Sequence, residues 1–354
     1  MKENIIKRKY DHIQICLNRN INSKKKSGFN DIMLIHKALS ELNYDDLTLS
    51  TKFFGKKFSY PFMIASITGG FKESININKN LAIAAEELNI GMGVGSQRIA
   101  IENNKKESFS FIRDYAPTTF IYANIGVSQI NDYSIETIEN IVEMIDANAL
   151  AIHFNILQEL IQPEGNIRSN NLYENIKKIT REIKVPIFAK GIGCGFSKED
   201  AIILKKLGIK AIDVGGVGGT SWSGIEYYRS KKKHNYSKQR LGKIFWNFGI
   251  PTALSIIECK SSLPVIATGG IRSGLDIAKS IVLGSSMASS ALPFVFLSKK
   301  GKKYIIKYIL QLMEELKTTM LLVDKKDIKS LSKTPFVITG FSKEYLNQRK
   351  LEIK

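Results

Sequence analysis

The chain has 354 residues, 44% of them hydrophobic, which is enough to bury one large core or two ordinary ones. Its net charge of +19, from 52 basic and 33 acidic side chains, comes mostly from Lys spread along helical patterns among Asn and Ile. No basic and aromatic platform or zinc-finger spacing appears, which speaks against nucleic acid as a partner. Cys16, Cys194 and Cys259 are far apart and lack CxxC spacing, so neither a disulfide framework nor a zinc or iron–sulfur site is encoded, and a reducing, cytoplasmic compartment fits.

In chain order, residues 1–60 read as an arm carrying Lys7-Arg8-Lys9 and His12, followed by the polar stretch 22–26. Its start has no apolar core of signal-peptide type. From Pro61, short apolar runs recur at 62–66, 90–95, 119–124, 149–153, 186–190, 211–214, 264–268 and 286–289. Each ends in Gly, Ser, Asn, His or Lys before a helical pattern, as at 75–88, 135–145, 172–183, 198–207, 252–260 and 275–283. Eight such units are the length and rhythm of an α/β protein built as a single (β/α)8 TIM barrel over 61–298. Residues 221–250, with Lys231-Lys232-Lys233, Trp222 and Trp246, are predicted as a long loop after the sixth strand, a common form of lid. The uncharged stretch 281–295 is broken by Gly284 and four serines; it reads as a helix end, a buried strand and a loop, and no membrane segment is expected. Residues 299–354 are predicted as C-terminal helices completing the barrel, with an amphipathic helix at 303–322.

The chemistry sits at the predicted strand ends. The turns Thr268-Gly269-Gly270-Ile271-Arg272 and Val214-Gly215-Gly216-Val217-Gly218-Gly219-Thr220 follow successive apolar runs. Glycines let backbone approach an anion, the next helix start offers free N–H groups, and Arg272 adds a charged clamp. The fourth run delivers His153, Asn155, Gln158 and Glu159 to one mouth. A lone strand-end His is often structural; one carboxylate such as Glu159 together with substrate phosphates is a usual way of holding Mg²⁺. Lys190 ends the fifth run, facing either ligand or solvent. The first three runs end in Ser66-Ile67-Thr68-Gly69-Gly70, Gly95-Ser96-Gln97-Arg98 and Asn124. Such small, hydrogen-bonding walls suit a flat heteroaromatic ring with a phosphate tail, pointing to a flavin mononucleotide barrel.

With these motifs together, the chain resembles the type 2 isopentenyl diphosphate isomerases, flavin-dependent enzymes that interconvert isopentenyl and dimethylallyl diphosphate. The resemblance runs from Arg8-Lys9-Tyr10-Asp11-His12 to Val337-Ile338-Thr339-Gly340, through His153-Phe154-Asn155, Gln158-Glu159, Gln162-Pro163-Glu164-Gly165 and Gly218-Gly219-Thr220-Ser221-Trp222. It implies FMN contacts at Ile67, Thr68, Gly69, Ser96, Asn124, Lys190, Thr220, Gly270, Ile271, Arg272, Ala291 and Leu292. It further implies a small-molecule diphosphate substrate at Arg8, Lys9, Ser96, Gln97 and Arg98, with His153 and Gln158 as catalytic and substrate-contacting residues and Mg²⁺ on Glu159. Reduced FMN as acid and base, NADPH as reductant, and a homo-oligomer, tetramer or octamer, belong to the same resemblance. Ile67 replaces the family's usual Met, and Gly191 stands where an acidic or amide residue is common, which puts one polar contact near the flavin in question. The main alternative is a 2-hydroxy-acid oxidase or dehydrogenase of the same barrel type. That chemistry needs a histidine base on the loop after the sixth strand, where 215–220 has none.

Overall fold

A computed structural model describes residues 2–165 and 170–351. The chain opens with helix α1 (Lys2–Asn18). A short strand, Ile32–Leu34, pairs antiparallel with Phe336–Ile338 near the C-terminus, and a hairpin follows from Thr51–Phe53 and Lys56–Phe58. Then come β1 (Phe62–Ile64), α2 (Lys72–Glu87), β2 (Gly91–Gly93), α3 (Arg98–Glu102), β3 (Ile121–Gly126), α4 (Ile135–Glu143) and β4 (Ala149–Phe154). After them run α5 (Ile156–Ile161), α6 (Leu172–Glu182), β5 (Ile187–Gly191), α7 (Lys198–Lys206) and β6 (Ala211–Asp213). Helices α8 (Trp222–Lys232), α9 (Tyr236–Ile244) and α10 (Thr252–Cys259) lead to β7 (Val265–Thr268), α11 (Gly274–Leu283) and β8 (Met287–Ser290). Helices α12 (Leu292–Lys300), α13 (Lys302–Leu322) and α14 (Gly340–Arg349) end the described chain.

Strands β1 to β8 pair in parallel, and β8 closes on β1 through Ala288↔Phe62 and Ser290↔Ile64, making the expected eight-stranded barrel. Strands in such a barrel are covered on both faces, which is why they read as continuous apolar runs. Their helices start where side chains cap them. Ser134 accepts from Thr137 N–H, and the pairs Ser197/Asp200 and Ser273/Asp276 form reciprocal boxes. The main core lies between strands and helices.

Three expectations change. The segment 221–250 is largely helical: Ser221 and Asn235 cap α8 and α9 by accepting from Gly224 and Lys238 N–H, and the Trp246 ring lies where a Cβ on Gly224 would be. The loop predicted after the eighth strand is α12. The arm is three pieces with different destinations. Helix α1 crosses the C-terminal mouth of the barrel, and the stretch after it docks on the loop following β6, where Ser23 N–H donates to Gly219 O; the hairpin closes the opposite end with Phe53 and Phe58 against Phe120, Tyr122 and Phe188. Helix α14 is tied to the barrel wall by Arg349, which donates to Glu258 and Glu199, while Tyr345 also donates to Glu258. Among the described residues, no helix is long and apolar enough to cross a membrane.

Candidate functional site

A deep cavity opens at the C-terminal ends of the strands, roofed by α1 and α8. Arg8, Lys9 and Arg98 converge at one pole. Lys9 Nζ donates to the carbonyls of Gly69 (2.9 Å) and Ser96 (2.6 Å). Burial, with Arg8 and Arg98 beside it, pushes its ammonium down to about 7. Burial also lowers Arg8, whose guanidinium has no hydrogen-bond partner among the described residues; Arg98 is tied to Glu102 at 2.7 Å. Three crowded cations ask for an anion.

His153, ending β4, faces the same pole. Asn124 Nδ2 donates to Val94 O, so its Oδ1 accepts and the proton on His153 sits at Nδ1, 2.9 Å away. Burial, then the charges of Lys190, Lys9 and Arg8, push the imidazole down to about 3, so it is neutral with Nε2 unprotonated. One turn on, α5 presents Gln158 and Glu159. Glu159 accepts from Asn155 Nδ2 (3.1 Å) and Gln162 Nε2 (2.5 Å), which aim its carboxylate along the cavity wall.

Gln158 Nε2 donates to Glu226 Oε1 (3.2 Å), a carboxylate fully buried on α8. His12 Nε2 of α1 donates to the same oxygen at 2.8 Å, and Arg229 Nη1 donates to Glu226 Oε2 at 2.7 Å. Burial alone would raise Glu226; His12, Arg229 and Gln158 outweigh it and hold the carboxyl at about 2. Arg229 continues to Glu164 on the loop after α5. Helices α1, α5 and α8 and the loop after α5 are thus joined through one buried charged cluster. Glu226 and Arg229 escaped sequence reading because 221–250 was predicted as a loop. Taking Ser221 as an N-cap would have put the two residues on one helix face at i,i+3 spacing.

The remaining wall fits FMN. Gly269 and Gly270 lie against the loop after β6 so closely that a Cβ on Gly219 would meet Gly270 N at 2.6 Å, and one on Gly269 would meet Gly216 O at 2.2 Å. Two backbone loops therefore make one cradle, joined by the N-terminal turn of α12 at Ala291 and Leu292 and by Arg272, whose Nη1 donates to Ile271 O and Ser290 Oγ. Thr268 Oγ1 is buried in the wall with no hydrogen-bond partner among the described residues, as a polar ligand would require. Lys190 also faces the cavity, 2.7 Å from Asp213 Oδ2. Part of the lining is apolar, where Ile13, Trp222, Ile225, Leu292 and Val295 pack together.

Of the expected residues, Arg8, Lys9, Ile67, Thr68, Ser96, Arg98, Asn124, His153, Gln158, Glu159, Lys190, Thr220, Gly270, Arg272, Ala291 and Leu292 line this one cavity. Gln97 does not reach it. Its amide is buried behind the strands, donating to Ile141 O (2.8 Å) and accepting from Asn124 N–H (3.1 Å), so it braces the loop instead. Gly69 contributes its carbonyl to Lys9, and Ile271 is buried beneath the cradle. Gly191 has a steric reason: a Cβ there would lie 2.3 Å from Val214 O, so no polar side chain could stand in its place.

A family model described as FMN-dependent dehydrogenase matches residues 1–119 and 138–337. The isopentenyl-diphosphate delta-isomerase of Methanosarcina mazei is 50% identical over 350 residues, 98% of this chain and 96% of that protein. The one from Archaeoglobus fulgidus is 46% identical over 344 residues, 97% and 99% of the two chains. Among solved structures, a mandelate oxidase variant with a monooxide FMN adduct has a TM-score of 0.61 at 16% identity, covering 89% of this chain and 90% of its own. Another, with (S)-mandelic acid, reaches 0.62 at 14% identity and 96% and 98% coverage. At such identities the oxidases share the fold alone. Matched over nearly its full length by the isomerases, and bearing the FMN-dependent dehydrogenase pattern, the chain belongs to the type 2 isopentenyl-diphosphate delta-isomerase family.

Proposed function

We propose that this protein interconverts isopentenyl and dimethylallyl diphosphate by a 1,3-allylic proton shift, with FMN in the cavity, NADPH as its reductant and Mg²⁺ on the diphosphate. The observation that carries the reading is the convergence of Arg8, Lys9 and Arg98 beside Glu159 in a cavity that also has an apolar wall. This polarity matches a diphosphate with a short hydrocarbon tail, and remote charge contacts then position a C5 chain that has no polar handle of its own.

Arg8 takes the diphosphate oxygens directly, while Lys9, held by two carbonyls, adds its charge and remaining proton. Glu159, steadied by Asn155 and Gln162, gives Mg²⁺ its protein carboxylate, the phosphates and water giving the rest. Among the described residues there is no group of three or more metal-ligating side chains, in keeping with an ion brought mainly by substrate. Neutral His153 offers Nε2 as acceptor, or as donor once a bound anion draws a proton to it. When bound, reduced FMN supplies the acid and base for the hydrocarbon, which the cavity's side chains do not. Gln158, oriented by Glu226, would set the hydrogen-bonding beside the isoprenyl group, from which Trp222 and Ile225 would keep water.

Hydroxy-acid oxidation is the weaker reading, because the loop 215–220 carries no histidine. We further propose a homo-oligomeric, cytoplasmic enzyme. The test is anaerobic incubation with FMN, reductant, Mg²⁺ and isopentenyl diphosphate in D₂O. Deuterated dimethylallyl diphosphate that forms only with reduced flavin is the expected product; no conversion, with flavin reoxidised after reduction by a hydroxy acid, would overturn the assignment.

A further inference from the structure

Asp213 belongs to none of the roles above, yet it is nearly fully buried beside Lys190, which lines the cavity. It is the register partner of Lys190 on the neighbouring strand, so both side chains point into the barrel at the same height. Its Oδ2 lies 2.7 Å from Lys190 Nζ, and its Oδ1 accepts from Gly215 N–H at 3.2 Å. That second bond fixes the carboxylate plane to the loop forming part of the cradle. Both members of the ion pair are at least nine-tenths buried, and an ammonium in such a place keeps its charge only with a partner. The other titratable groups that sense Lys190 are Tyr122, below it in the barrel, and His153, on the adjacent strand.

We infer that Asp213 is a positioning residue for the flavin: through Lys190 it fixes where the ammonium meets the ring and offsets that ammonium's charge. The inference rests on the reading that FMN occupies this cavity. A lone buried ammonium would favour a negative charge on the nearby ring and draw reduced FMN toward its N1-deprotonated anion. Paired with Asp213, the same ammonium still donates a hydrogen bond but favours the anion far less. The pair thereby leaves the reduced ring free to hold a proton, which an acid–base role needs and an electron-transfer role does not.

The test is a spectrophotometric pH titration of reduced FMN bound to the full chain, with no substrate present. Asp213→Asn should lower the apparent N1 pKa by about one unit or more, since an opposing charge within a few ångströms shifts a neighbour by that order. In a Lys190→Met background, the same Asn change should do little, because the ammonium through which Asp213 is inferred to act is gone. Asp213→Glu keeps the charge and should stay near the wild-type value, whether or not the Asn variant folds. An unmoved N1 titration in FMN-loaded Asp213→Asn, or an equal fall in Asp213→Glu, would overturn the assignment. Failure of the wild-type protein to bind FMN would instead sink the functional reading, so the two failures are distinguishable.

Discussion

The two ends of the barrel are made by the same strands and could hardly differ more. At the N-terminal end Phe120 and Tyr122, Phe188, Ile266 and Met287 point inward and meet Phe53 and Phe58 of the hairpin, with Phe58 and Phe120 rings 5.5 Å apart and Tyr122 and Phe188 5.0 Å apart. Two residues further along each strand, on the same inward face, stand Asn124, Lys190, Thr268 and Ser289. Ala151 gives way to His153 and Ala211 to Asp213 in the same fashion. One step of strand alternation converts an apolar plug into a polar floor. The plug can be optimised for packing because nothing there must stay open, whereas the floor keeps Thr268 Oγ1 without a hydrogen-bond partner among the described residues. Stability and function are thus separated along the barrel axis, with little overlap in residues.

The largest effect expected on this division comes from Glu159→Gln. With the only carboxylate proposed for Mg²⁺ removed, kcat/KM should fall about a thousandfold or more and lose its Mg²⁺ response, while melting temperature and FMN loading hold; an unchanged Mg²⁺ titration would remove the role. At the other end, Phe58→Ala empties space in the plug and should cost about 3–5 kcal/mol in denaturant unfolding, with KM for isopentenyl diphosphate unaltered in the folded fraction. If KM moved in step with stability, the two ends would not be independent. Arg8→Ala should raise KM by roughly ten- to a hundredfold, the loss of one charge-assisted contact, with kcat much less affected.

The smallest effect is in pH. His153 is held neutral in the fold, down to about 3, against an ordinary value of 6.5. Below about pH 6.5 the unfolded chain takes up a proton that the folded chain refuses, so stability falls as pH falls, by about 1–2 kcal/mol between about pH 6.5 and about pH 5. His153→Gln should flatten that slope in unfolding free energy measured against pH. A slope that persists in the variant would assign it to other groups, with buried His12 first among them.

Much of this was written locally. The eight strands follow from short apolar runs ending in small or polar residues, and the cradle from glycines that follow two of those runs, because strand burial and close backbone approach depend on residues adjacent in the chain. His153, Gln158, Glu159 and Lys190 were legible for the same reason: each lies at a strand end or within about one helical turn of it, and a barrel sends such positions to one mouth. The tertiary structure alone decided what depends on distant partners. It turned Gln97 away toward Ile141 and Asn124, sent the hairpin to one end and α1 to the other, and placed Asp213 against Lys190. It also brought Glu226 and Arg229 against His12, more than two hundred residues earlier in the chain. A side chain's type can be read from sequence, but whether its charge is opposed, offset or left for a ligand depends on which groups surround it in space, and those come from strands and helices that local pattern does not connect.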